Sequence, residues 1–540
     1  MHDTPMLRAI QRLGEAWLNA SADPTRRLLV WRVPANASRL LAAFFETQRH
    51  DEGRDTPDYF LRLDTAFETG FAYSREVKQS LLERYLGSQD ELRAQGVALG
   101  WRGPHDAHPD SAHGVVQVLD SFATHHQRHL RLLAVVIDPE RCVPGDGLAR
   151  WIDAALAAEP GERLRLVLLD TDEDPRWQPL LERHAHVAAR IEAPVDLFAI
   201  ARDTAAQSAG TGPEVLYRQL LADLMLLLER GSPQQVAARA ERALGLAHRH
   251  GWQDQQAVVQ MMVAGAWLKG GDHGQAINAY RQARSAAQTA RSQGHAAAPE
   301  LVMQSWFGEA GCWLAANNPG QATQGYLQAA TAAASIPHPM FQLEGQRMAG
   351  YCLLQQGKRE EARTQLLEAI RIATPLSPQD RHATTLPQAL WDLLQLQDPR
   401  RCERLQDTAR TYLEQTTALH GQAEDAAAHL GTQPARPPLD VIQAQLHSAL
   451  EQTFHRVQHE RERLIQGGDE FFRRIVAVGR DFLDPGWNGL PAIQHPLDHD
   501  IPVWSEPPAM QPLPDPAPLL DPQHAPTVAS AAAPNGVVAA

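Results

Sequence analysis

Three apolar runs in this 540-residue chain close on a carboxylate: Asp64 ends "LRLD", Asp138 ends "VVID" and Asp170 ends "VLLD". The last continues into Thr171, Asp172, Glu173 and Asp174. Carboxylates gathered at the carboxyl edge of a parallel sheet would hold a divalent cation or a phosphorylated ligand, because open α/β sheets bind their ligands at that edge. The plainer account is that Asp turns the chain after a strand or caps the next helix. Both "DPE" at Asp138 and "DEDP" from Asp172 have the form of helix starts. The plainer account is preferred, and Asp64, Asp138 and Asp170 are kept as the alternative ligand set.

Other chemistry-bearing residues point to no reaction. Histidines gather at His105, His108 and His113 and again at His125, His126 and His129. His125 and His129 have the spacing of one helical turn, which can grip a metal, but no HExxH glutamate accompanies them. Surface histidines are expected, and no metal. Cys142, Cys312, Cys352 and Cys402 form no CxxC pair, which fits neither a disulfide framework nor a zinc knuckle and suggests a reducing compartment. There is no GxSxG, and Cys142 lacks a local histidine signature. A P-loop, GxxxxGK[ST], needs lysine beside glycine to cradle phosphates. Of the three lysines, Lys78 follows Val77, Lys269 follows Leu268, and Lys358 follows Gly357 but precedes Arg359. A P-loop ATPase is thereby excluded, and neither a catalytic residue nor a cofactor is assigned.

Asp170 and Asp172 do resemble the DxD of haloacid-dehalogenase phosphotransferases, which would make the first Asp a nucleophile and the second an acid. That family expects Thr or Val where this chain has Asp174, and its later basic and acidic residues are not identifiable. The triplet also resembles the metal-binding DxD of glycosyltransferases. As a calcium loop it fails, since Pro175 stands where the turn needs glycine.

The elements that would position these residues alternate over residues 1–207. Apolar runs at 27–33, 58–64, 130–138, 164–170 and 187–194 are separated by amphipathic stretches such as "SRLLAAFFETQ" and "GLARWIDAALAAE". Strands apolar on both faces with helices between them predict a mostly parallel, three-layer α/β domain. An α/β front followed by helical repeats resembles the architecture of signalling ATPases, here in a form without a P-loop.

From 214 to 425 the sequence is helical throughout and repeats itself. "AGAWLKGGDHGQAINAYRQA" from Ala264, "AGCWLAANNPGQATQGYLQA" from Ala310 and "AGYCLLQQGKREEARTQLLEA" from Ala349 share Ala-Gly, a bulky residue, Leu, a polar turn, and Ala before a large residue. Counted from Ala-Gly, the third turn comes one residue later, so it reads as a longer turn. Small residues let helices approach while the large one fills the groove between hairpins, and each hairpin leaves an apolar face that only its neighbour covers. The residues resemble the tetratricopeptide repeat family: Trp267, Gly271, Ala276, Tyr280 and Ala283; Trp306, Trp313, Ala322, Tyr326 and Ala329; and Gly357, Ala362 and Ala369, where Leu366 replaces the aromatic, with Gly265, Gly311 and Gly350 as further packing positions. About five hairpins are expected. Met261, Leu268, Phe307 and Leu314 are candidates for a protein-binding groove, with inter-repeat packing as the competing account of each.

Residues 438–483 predict long charged helices, and 484–540 a flexible proline-rich tail in which Trp504 and scattered leucines offer docking points. The net charge of -14 argues against a nucleic-acid or anionic-membrane partner. No eighteen apolar residues run together and the N-terminus has no apolar leader, so a cytoplasmic protein is expected. The leading expectation is a non-enzymatic adaptor or chaperone holding a protein client in its repeats, with a possible second partner on the tail. The layout resembles accessory proteins of bacterial secretion, including type VI effector loading. The alternatives are a ligand-binding α/β enzyme or sensor regulated by the repeats, and a self-assembling scaffold; the oligomeric state is left open.

Overall fold

The computed structural model describes residues 4–48, 56–94, 96, 100–103, 107–193, 195–207, 212–487 and 512–521. They fall into two compact units: Met1–Leu226 with Tyr412–Phe454, and Leu227–Thr411 with His455–Ala540.

The first unit contains α1 (Pro5–Ser21), β1 (Leu28–Val33), α2 (Ser38–Thr47), β2 (Tyr59–Leu63), α3 (Gly70–Gly87), α4 (Gln89–Ala94), α5 (Ala112–His125), β3 (Leu133–Ile137), α6 (Gly147–Ala157), β4 (Leu164–Thr171), α7 (Gln178–Arg183), β5 (Ala188–Glu192) and α8 (Leu197–Gln207). The sheet order is β2-β3-β4-β1-β5, and every pair is parallel. Side chains alternate along each strand. Leu28 and Val30 therefore join one core with Tyr73, Val115, Ile152 and Leu180. Leu29, Trp31 and Val33 join the other, with Leu13, Trp17, Leu40, Phe44 and Ile200. Both faces are covered, which is why the central strands β1, β3 and β4 are largely apolar rather than alternating, while the edge strands β2 and β5 carry the exposed Arg62 and Arg190.

β1 is followed by a helix on one face and β4, its neighbour, by a helix on the other. Their carboxyl ends thus form the switch point at which such sheets ordinarily bind ligands.

A helical hairpin completes this unit. It comes from α19 (Pro399–Ala428) and α20 (Arg436–Gln466). Leu439 is fully buried with Phe71 and Ala72 of α3. Arg75 pairs with Asp440 at 2.8 Å and Arg150 with Asp425 at 2.9 Å. The Glu424 carboxylate accepts the N–H of Gly70 at the start of α3.

The second unit is a solenoid of antiparallel helices. It holds the end of α9 (Pro213–Arg230), then α10 (Pro233–Arg249), α11 (Gln253–Lys269), α12 (His273–Ser292), α13 (Ala298–Ala315), α14 (Pro319–Ser335), α15 (Pro339–Gln355), α16 (Arg359–Ile372), α17 (Pro378–His382) and α18 (Leu386–Gln397). It is closed by α21 (Glu470–Phe482) and the short α22 (Ala517–Leu520).

The hairpin turns 270–272, 316–318 and 356–358 have equal length, which corrects the longer third turn expected from Ala-Gly spacing. The extra residue lies inside α15. Gly271, Asn317 and Gly357 take left-handed φ of 80°, 55° and 76°. In each turn the next residue's N–H reaches back five positions, to Trp267, Trp313 and Leu353. These are Schellman closures, which need a residue that tolerates positive φ.

Candidate functional site

In the first unit Asp64 and Asp138 lie on neighbouring strand ends, where the Asp138 N–H donates to Leu63 O at 3.0 Å and the Glu140 N–H to Asp64 O at 2.9 Å. Each carboxylate carries its own arginine: Arg84 on Asp64 at 2.5 Å and Arg62 on Asp138 at 2.7 Å. Burial would raise the Asp64 carboxyl, but the Arg84 hydrogen bond and charge hold it below the usual range.

Asp170 stands apart, at the switch point. Its side chain is 1% exposed and pairs with Arg32, its register partner on β1, at 3.0 Å. It also accepts the backbone N–H groups of Arg176 at 2.8 Å and Trp177 at 3.4 Å. Glu173 accepts the N–H of Ala35 at 2.8 Å, just after β1. The acidic end of β4 therefore ties down the turn into α7 and the loop after β1. The three aspartates do not form a group able to hold a metal ion, and each is paired with its own arginine.

Among the described residues no three His, Cys, Asp or Glu side chains are arranged to hold a metal ion. His125 is the last residue of α5 and His129 lies in the following turn, so the helical spacing expected for them is not realised. His126 is buried between Tyr85 and Phe122. Burial, then the neighbouring His125 and His129, push it down to about 4. His105 and Trp504 lie outside the described residues. The four cysteines are free thiols.

In the second unit, counting back from the left-handed turn residue aligns α11, α13 and α15. Ala264, Ala310 and Gly350 share one position, and all are buried. A Cβ added to Gly350 would meet the Leu366 side chain at 2.9 Å, so glycine is needed there. The next position holds Gly265, Gly311 and Tyr351. It is open: a Cβ at Gly265 meets nothing within 4 Å, one at Gly311 only the Tyr326 hydroxyl at 3.9 Å, and Tyr351 is 39% exposed.

One turn before stand Met261, Phe307 and Arg347, and three residues after stand Leu268, Leu314 and Leu354; all six are half-buried. Met261, Leu268, Phe307 and Leu314 each also touch packing clusters between helices, so their inner edges are core and their outer edges border the open row. Trp267 and Trp313 pack with Ala276, Ile277 and Tyr280. Ala322 and Tyr326 lie under Phe307 and Leu314, and Ala362 is fully buried beside Leu366. Phe307 also meets Phe341 at 5.6 Å between ring centres.

Two ion-pair knots, each built on a buried carboxylate, Glu309 and Asp392, lie beside the row. Glu309, 4% exposed, pairs with Arg281 at 2.9 Å and with Arg284. The Arg284 guanidinium lies 3.5 Å from the Trp306 ring centre. Arg347 pairs with Glu344 at 2.8 Å and Asp392 at 3.0 Å. Burial alone would lower the Arg347 pKa, but these carboxylates raise it. Neither knot is among the residues singled out from the sequence. The available signal was one glutamate in an otherwise uncharged stretch, "LVMQSWFGEAGCW", which folding tolerates at a buried position only when the charge is paired.

The fold defines an α/β unit and a helical-repeat solenoid in one chain. No family model matches it, and no curated protein matches its sequence. Among solved structures, the apo form of RapI aligns over 49% of this chain and 97% of its own at 12% identity, with a TM-score of 0.30. A STAND protein with a tetratricopeptide repeat sensor, from Pyrococcus horikoshii, aligns over 86% and 91% at 10% identity, with a TM-score of 0.21. The solenoid assignment rests on the hairpins of this chain rather than on these scores. No helix among the described residues is long and apolar enough to cross a membrane.

Proposed function

We propose that the solenoid is a protein-binding adaptor surface, and that the open row of Gly265, Gly311 and Tyr351, bordered by Met261, Phe307, Leu268 and Leu314, holds the client. The observation that carries this reading is that the row is open on three successive hairpins in register. Stacked repeats present such rows as continuous surfaces, and partners use them for recognition rather than bond making. The half-buried methionine, phenylalanine and leucines suit an apolar helix or extended segment. In the first unit each candidate carboxylate is already bound by an arginine, which counts against the ligand-binding alternative.

The glycines give a direct test. Gly265→Trp and Gly311→Trp fill the row without entering the core, because a Cβ meets nothing within 4 Å at Gly265 and only the Tyr326 hydroxyl, at 3.9 Å, at Gly311. The full chain, used as bait, should retain a stoichiometric partner that both variants lose and that Gln288→Trp, on an exposed position of α12, keeps. Retention unchanged by either glycine variant would refute the row as the client site. The layout of α/β unit, repeats and proline-rich tail also supports the narrower reading of a loading factor in bacterial secretion. On that reading the retained partner is itself a secreted protein.

A further inference from the structure

Residues 512–521, "PLPDPAPLLD", pack against the end of the solenoid. Leu519 is 6% exposed, and Leu513 and Leu520 are half-buried. They join the cluster that includes Leu376, Phe482, Leu483 and Trp487, and the short α22 lies against α16.

The composition of the segment is that of a ligand rather than of a repeat. Pro512, Pro514, Pro516 and Pro518 alternate with Leu513, Asp515, Ala517 and Leu519. Every second residue thus has its φ fixed and no N–H to give, so the segment cannot extend the helix stack. It is stiffened before it docks, which lowers the ordering cost of binding. Its shape is set from within. Asp515 accepts the Ala517 N–H at 2.9 Å. Pro516 O accepts from Leu519 at 2.9 Å and Ala517 O from Asp521 at 3.1 Å. Residues 488–511 separate it in sequence from Trp487, the preceding packed residue.

We propose that the groove at this end of the solenoid is a docking site for a proline-spaced Leu-Leu segment, and that the chain's own residues 512–521 occupy it in cis as a displaceable ligand. The partner admitted on displacement is a protein carrying the same anchors in a proline-stiffened stretch that makes one short helical turn. The site goes beyond the client surface described above, and it lies on α16 rather than on α11, α13 and α15. Either reading can therefore fail alone. A ligand carried on the same chain binds intramolecularly, so a free segment of the same affinity is excluded until the cis copy is weakened.

The test uses the full chain and a labelled peptide of residues 512–521, followed by fluorescence anisotropy. In the double variant Leu519→Asp/Leu520→Asp the tethered copy loses its anchors and the groove is vacated. The peptide should bind this variant at least about tenfold more tightly than the wild type. A peptide carrying both substitutions should bind neither protein. Equal binding to both proteins, or to neither, would overturn the proposal. So would loss of the variant's cooperative melting transition, because the segment would then be part of the fold. Hydrogen exchange gives an independent readout on the wild type: excess unlabelled peptide should raise exchange in 512–521 while leaving α16 protected, and unchanged exchange would count against displacement. If the wild type forms a concentration-dependent dimer that the double variant cannot form, the segment docks in trans and the cis assignment is overturned.

Discussion

Glu424 reaches the first turn of α3 from a helix more than three hundred residues further along the chain, and it does so at an electrostatic cost. Burial raises its carboxyl above the usual range, and the Gly70 N–H and Arg150 only partly offset this. With the folded-state value raised, the group's contribution to stability is fully present below the unfolded value and is lost as pH rises through the folded one. At neutral pH the carboxylate therefore works against the fold. Glu424→Gln keeps an acceptor for Gly70 and removes the charge. Its thermal midpoint should exceed that of the wild type at neutral pH, and the two should converge near the unfolded carboxyl value, at about pH 4. At this scale the sequence was legible where a residue acts locally. Asp170 after an apolar run was readable as a turn former, and it does tie the turn into α7. Its ion pair with Arg32 was not readable, because it depends on β1 and β4 being neighbours across more than a hundred residues. Glu424 was illegible for the same reason.

Among the elements, strands and hairpins were legible because each is specified by a short period. The five apolar runs became β1 to β5 in parallel, and the repeats became antiparallel helices closed by left-handed turns. Register inside a hairpin was less legible. Aligning on Ala-Gly put Gly350 level with Gly265 and Gly311, whereas the turn residues put it level with Ala264 and Ala310. Small residues are interchangeable in a pattern, and only the packing shows which of them touches the next helix. The turn residues carry the sharper signal, and they can be tested. Gly357 sits at a φ of 76°, which costs any residue with a Cβ about 1 kcal/mol. Gly357→Ala should lower the thermal midpoint of the second unit by a few degrees. The same change at Gly265, in mid-helix with open space above it, should raise stability slightly by helix propensity.

Over the whole molecule the chain visits each unit twice. The first unit needs Tyr412–Phe454 in addition to Met1–Leu226, and its hold on that hairpin includes Leu439 against Phe71 and Ala72. Leu439→Asp buries a carboxylate at this contact. It should cost the first unit several kcal/mol and raise hydrogen exchange in α3 and α6, while the helices of the second unit keep their protection. A sheet-bearing front followed by a long series of helices was readable from composition. The return of the chain was not, since nothing in "DVIQAQLHSALEQ" names the surface it will cover.

That return matters during synthesis. A ribosome adding about 5–20 residues per second releases α3 long before it releases Leu439, so the apolar patch around Phe71 waits on the order of tens of seconds for its cover while the repeats are made. The front unit must therefore pass through an incomplete state each time the protein is produced. A stall or premature stop within the repeats would leave that state permanent, as a sheet domain with an exposed sticky face rather than a smaller working protein.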